Sequence, residues 1–183
     1  AGDGDDKPGE VELEQAYIQY DYNDTTQVTG GLFLVPIGIM NETHEPDTFY
    51  GVERNTVEKN IIPTTWWEAG VMVSKEIKPG LTVDVALTSG LMGTSSAFKA
   101  RSRQKVANAK ANSGAMTTRL KYTAIPGLEV AASLFMQTDF CQGQVVGCGA
   151  ATAFETHAIY KKDKFQLRAL YAGWNIDGDA VKA

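Results

Sequence analysis

No run in this chain approaches the ~20 apolar residues that a membrane-spanning helix requires. A helical span is thereby excluded, while a crossing made by β-strands stays open. Basic excess is also missing: the net charge is -5, and no interleaved basic and aromatic stripe is present, so nucleic acid is not an expected partner. There are two cysteines and two histidines, with no zinc-ligand spacing among them. Neither a nucleophile–base pairing nor a phosphate-cradling glycine loop is found, which leaves no reading as an enzyme and implies no cofactor. A leader is missing too, since residues 1–10 are acidic and glycine-rich; for an exported protein that start is mature, trimmed or incomplete.

What is present is a rhythm. Strand-like runs near 11–22, 28–38, 65–76, 81–90, 114–124, 128–138, 151–161 and 165–174 are joined by connections that alternate between short and long. The short ones are Asn23–Thr26, Ile77–Gly80, Ile125–Gly127 and Lys162–Lys164; the long ones cover roughly 39–64, 91–113 and 139–150. The expected fold is all-β, an antiparallel up-and-down meander of about eight strands in one domain over 1–183. Tight turns on one rim and long loops on the other fit part of a transmembrane β-barrel. Both termini then fall on the long-loop side, as expected of a fragment cut there.

Within the runs, character alternates every residue, as it does when successive side chains point to opposite faces. Leu81, Val83, Val85 and Leu87 oppose Thr82, Asp84, Ala86 and Thr88. Leu128, Val130 and Leu134 oppose Glu129 and Ser133, while Phe154 and Tyr160 oppose Glu155 and His157. The run 31–37 is apolar on both faces, and its orientation stays open. One face therefore collects Glu68, Asp84, Arg119, Lys121, Glu129, Glu155, His157 and Arg168, more ionisable groups than a dry core tolerates. A water-filled lumen accommodates them, with Arg54 added from the first long loop. Arg54, Arg119, Lys121 and Arg168 would attract anions, and the four carboxylates would balance them. Near-equal signs predict a channel of weak selectivity for small hydrophilic solutes or ions.

Aromatic residues collect near strand ends: Trp66, Trp67, Tyr122, Tyr160 and Trp174 above all, with Tyr20, Tyr22 and Phe165. That placement is expected of a girdle at the edge of a lipid bilayer. The alternative is a soluble β-sandwich or barrel that binds carbohydrate or lipid through Trp66, Trp67 and Trp174. The loop Phe140–Gly149 holds Cys141 and Cys148, whose separation suits a disulfide in an oxidising compartment. The stretch Lys99–Lys110 carries Lys99, Arg101, Arg103, Lys105 and Lys110 without a carboxylate, a pattern suited to anions or to lipid headgroup phosphates. Its alanine content predicts a short helix within 97–111.

The segments Glu12–Tyr17 and Gly31–Gly38, with Asn41–Pro46, Tyr50–Asn55 and Ile62–Glu68, resemble porins related to the phosphate-selective porin O and P family of Gram-negative bacteria. The match covers about residues 11–91. The resemblance implies a bacterial outer-membrane barrel, homotrimeric at full length, in contact with outer-membrane lipids and passing solutes by diffusion. It also implies more strands than the eight readable here. Leu32 and Leu34 stand where phosphate-selective members carry polar residues, so porin function is carried over and phosphate as the ligand is not.

Overall fold

The structure, a computed structural model, describes residues 13–44, 48–51, 53–94, 98–104 and 106–177. Eight strands follow one another: β1 Ala16–Asn23, β2 Thr26–Leu34, β3 Trp67–Lys78, β4 Leu81–Thr88, β5 Ala115–Tyr122, β6 Leu128–Gln137, β7 Ala151–Lys162 and β8 Phe165–Ile176. Each pairs antiparallel with the next, giving one sheet in sequence order. β1 and β8 do not pair with each other, so the sheet is not closed into a barrel.

The turns follow from local chemistry. Asn23 accepts hydrogen bonds from the Thr25 N–H and hydroxyl, which closes the β1–β2 turn. Gly127 has φ +80°, and a Cβ there would lie 2.1 Å from the Lys161 carbonyl oxygen, so the β5–β6 turn admits no side chain at that point. The long connections on the opposite rim cover 35–66, 89–114 and 138–150. The first contains α1, Thr56–Asn60, capped by Asn55, whose side-chain oxygen accepts from the Glu58 N–H at 3.0 Å.

The sheet is curled. Adjacent strands lie about 4.8 Å apart, so a flat sheet would separate β3 from β8 by more than 20 Å. Yet Trp66, next to β3, and Trp174 of β8 have ring centroids 6.2 Å apart, and Phe135 of β6 is 4.9 Å from Trp66. The concave side closes over these rings. Val35, Ile37, Ile62 and Leu91 from the long loops complete the cluster with Ala115 and Ala153.

The two sheet faces are inverted relative to a water-soluble protein. The convex face shows Ile18, Val71, Val73, Val85, Leu87, Leu120, Val130, Leu134, Phe154, Leu167 and Tyr171, every one at least 36% exposed. By strand register, its only charged side chains are Lys75, Lys78 and Lys162, each near a short turn. The concave face instead buries Glu68, Asp84, Arg119, Glu155 and His157, all at 6% exposure or less.

Candidate functional site

Register places the concave polar residues in a continuous belt. Asp21 pairs with Gln27, Gln27 with Ser74, Ser74 with Asp84, Asp84 with Arg119, Arg119 with Ser133, and Ser133 with Glu155. Seven of the eight strands thus contribute a polar side chain to one row, because each lies directly opposite the next on the same face. The row two residues nearer the long loops is mostly apolar, running through Met72, Ala86, Phe135, Ala153 and Trp174, with Gln19, Thr29 and Thr117 interspersed. The concave wall is therefore layered, with a packed apolar tier under the loops and a charged tier below it.

Arg119 is the centre of the charged tier. Its Nε donates to Asp84 Oδ2 at 2.8 Å, and its other two nitrogens reach the carboxylate of Glu42 in the first long loop. A guanidinium fork suits two carboxylates at once. The second cluster is His157, which lies 2.7 Å from Glu155 Oε1 through Nδ1 and 3.2 Å from Glu129 Oε1 through Nε2. Lys121 is half-buried and makes no ion pair or hydrogen bond among the described residues. Ser133 Oγ and Glu155 Oε2 in the same tier, and Thr117 Oγ1 in the row above, are buried without a protein hydrogen-bond partner.

Glu68 belongs to the upper tier. It accepts from Trp66 Nε1 at 2.8 Å and from the Gly90 N–H at 2.6 Å, tying the β4–β5 loop to the wall. Arg168 lies on the concave face of β8, 4.5 Å from the Tyr50 ring, and donates to the Thr48 carbonyl at 3.2 Å. Arg54 sits at the base of the first long loop and donates to the Thr64 carbonyl and to Thr65 Oγ1. It holds the loop together rather than standing free. Nearby, the hydrogen bond from Lys59, and then its charge, hold the Glu53 carboxyl below its ordinary range.

The first long loop folds onto the concave wall. Asn41 donates to the carbonyls of Val35 and Trp66, both at 2.8 Å, and accepts from the Trp66 N–H at 2.6 Å, which splices the ends of β2 and β3. Glu58, 1% exposed, accepts from Ile39 N–H and Met40 N–H and from Asn55 Nδ2. Gln104 grips Lys110 through the N–H and carbonyl, and Gln137 and Gln142 bind the carbonyls of Ser89, Leu91 and Ser113. These loop-pinning amides, with Glu42, have no periodic signal in the sequence and were not among the expected site residues.

Two of the expected girdle aromatics lie elsewhere. Trp66 is at 0% exposure inside the concave cluster, and Trp174 packs beside it with Nε1 donating to the Ile61 carbonyl at 2.8 Å. Both have the parity of the concave face, since they align with Glu68 and Arg168 respectively. Buried in this way, neither offers a platform for a sugar ring. Tyr122 and Tyr160 do point outward, joined by Tyr20, Tyr22 and Phe165, and all five stand near the short-turn rim. Trp67 points outward at the opposite rim, with Arg103 5.7 Å from its ring. Within the first long loop Ile62 is buried, whereas Tyr50 is 67% exposed.

Cys141 and Cys148 form a disulfide with Cα atoms 6.0 Å apart. Among its described residues the basic stretch holds one short 3₁₀ turn, Val106–Asn108, and no longer helix. Lys105, Glu12, Pro46 and the acidic runs Asp3–Asp6 and Gly178–Asp179 lie outside the described residues.

No family model matches the chain, and no solved structure matches it. Over 179 residues it is 34% identical to an uncharacterized protein of Aquifex aeolicus (strain VF5), a match covering 95% of this chain and 38% of that protein. The chain thus spans well under half the length of that relative.

Proposed function

We propose that this chain is the curled wall of an outer-membrane porin of the kind the sequence resembles, passing small hydrophilic solutes or ions by diffusion. The observation that carries this reading is the inversion of the sheet. A convex face bearing charge only near its short turns suits hydrocarbon, and a concave face with a belt of ionisable groups suits water. A carboxylate or guanidinium on the concave side keeps its charge only where partners or water surround it.

The proportions agree. β3 and the strands around it run 8 to 12 residues, enough to cross the hydrocarbon at a tilt. Outward aromatics include five near the short turns and Trp67 at the loops, with Phe154 and Tyr171 between the rims. The relative's length, with strands at the same density, corresponds to about twenty strands, inside the range known for such barrels. The open edges of β1 and β8 are where those additional strands would pair.

In this reading the loop 35–66 narrows the passage. Asp84, Glu42, Glu155 and Glu129 outnumber Arg119 and His157, and Lys121 and Arg168 bring the wall close to balance, so selectivity is weak. Lys121, without an ion pair among the described residues, is the group that a passing anion meets. The test is conductance of the full-length protein in a planar bilayer. Ohmic single-channel steps are expected; a protein that inserts without conducting, or remains monomeric in water without detergent, overturns the reading.

A further inference from the structure

His157 stands on the concave face of β7 with a carboxylate at each ring nitrogen. Nδ1 lies 2.7 Å from Glu155 Oε1, two residues back on the same strand, and Nε2 lies 3.2 Å from Glu129 Oε1 on β6. A carboxylate only accepts, so a ring that serves both must carry both protons. The two carboxylates differ in their access to water. The Glu155 side chain is at 0% exposure and its Oε2 has no protein partner, so the Nδ1 proton is what satisfies this buried charge. The Glu129 side chain is 35% exposed. Removing the Nδ1 proton would strip a buried charge of its donor, whereas removing the Nε2 proton leaves a carboxylate that water reaches. The proton facing Glu129 is therefore the one that leaves first.

The neighbours of the ring leave that proton to these two groups. In register His157 lies between Ala131 of β6 and Leu170 of β8, neither of which titrates. The charges next out on the wall are held by others. Arg119 of β5 is taken by Asp84 and Glu42, and Arg168 of β8 by the Tyr50 ring and the Thr48 carbonyl. Lys121 of β5 stands one strand further off, opposite Ala131. The first long loop meets the wall on both sides of the histidine, through Glu42 at Arg119 and through Thr48 at Arg168. The trio thus sits beside the part of the loop that narrows the passage in the channel reading.

We infer that His157 determines the ion preference of the passage: doubly protonated it cancels Glu129, and on releasing its Nε2 proton to water it leaves Glu129 as an uncompensated carboxylate at which cations concentrate. The trio carries one net negative charge in the first state and two in the second. The remaining proton stays on Nδ1 against Glu155, so the added charge appears at the exposed member of the trio. The inference rests on the channel reading above.

The experiment measures reversal potentials of the full-length protein in a planar bilayer under a potassium chloride gradient, from about pH 5.5 to about pH 9.5, a range that brackets histidine. The cation-to-anion permeability ratio is expected to rise about two- to three-fold with pH, the Boltzmann weight of one unit charge acting through water over about 8 Å. His157→Gln should hold the alkaline ratio at every pH. Glu129→Gln should hold the acid ratio, since no exposed carboxylate is left to uncover. His44→Gln removes the other histidine of this chain, which pairs with Glu14 at 2.8 Å, and should follow the wild type. Groups titrating elsewhere in the full-length protein move wild type and variants alike, so the difference between them reports on His157. A pH response kept by H157Q, or one lost with H44Q, would overturn the inference. Where H157Q does not insert, E129Q at its part-exposed position decides, and a full pH response in that variant overturns the inference as well. Absent conductance removes the channel reading and this inference with it, whereas a conducting wild type whose ratio ignores pH removes the inference alone.

Discussion

Glu42 and Arg119 are 77 residues apart in sequence and meet through two nitrogen–oxygen contacts, one at the inserted loop and one on the wall. Arg119 is held from behind by Asp84, so the loop docks against a cation whose position is already fixed. Removing the loop's carboxylate should free the loop without freeing the arginine. Glu42→Gln is expected to weaken docking by about 1–3 kcal/mol, raise single-channel conductance and current noise, and expose Arg54 and Lys59 to trypsin. Unchanged conductance and unchanged cleavage would show that the loop does not depend on this contact.

Trp66 and Trp67 are neighbours in sequence with opposite surroundings. Trp66→Ala removes a ring at 0% exposure that touches Phe135 and Trp174 and donates to Glu68. A loss of about 3–5 kcal/mol is expected. Trp67→Ala, on the outward face, should cost no more than about 1 kcal/mol. Urea unfolding of the two variants in vesicles gives the comparison, and equal losses would contradict the assignment of faces.

Depth along one strand offers a sharper test of the lipid-facing side. Val85 and Leu81 share the convex face of β4, Val85 nearer the middle and Leu81 beside the short turn. In a bilayer Val85→Arg should cost about 2–4 kcal/mol and Leu81→Arg about 0–1 kcal/mol. Reversible folding into vesicles measures both. Two equally mild effects are what a sheet facing water on that side would give.

The Cys141–Cys148 link closes a small ring in the third long loop, where Cys141 packs beside Phe140 and Ala151. By the loop-entropy argument its removal should cost about 2 kcal/mol. Because the ring lies outside the strands, Cys141→Ser with Cys148→Ser should raise amide exchange across 139–150 and leave β6 and β7 protected. Loss of protection throughout both strands would show that the link supports the sheet itself.

Strand positions and the faces of β3 to β8 were legible because alternation with period two survives when one side is apolar and the other carries charge. Leu32, Phe33 and Leu34 broke that pattern, since all three are buried although successive residues point to opposite faces. Trp66 and Trp174 were misread for a related reason. Strand-end position identifies an aromatic as near a rim, and only parity with Glu68 or Arg168 tells which side of the wall it faces. Arg119 and Asp84 were foreseeable as inward residues, but their partner Glu42 was not, because a contact spanning a folded loop leaves no local periodicity. The pinning amides Asn41, Gln104, Gln137 and Gln142 were silent in the sequence for the same cause.

Among the described residues, β1 and β8 each leave one side of their backbone without a neighbouring strand. In water those amides and carbonyls would recruit other chains edge to edge, and inside hydrocarbon each would go unsatisfied at a cost of several kcal/mol. Production of the 183 residues alone should consequently yield inclusion bodies or fibrillar stacks, and under the channel reading proposed above the object for biochemistry is the longer polypeptide in which both margins find a neighbour.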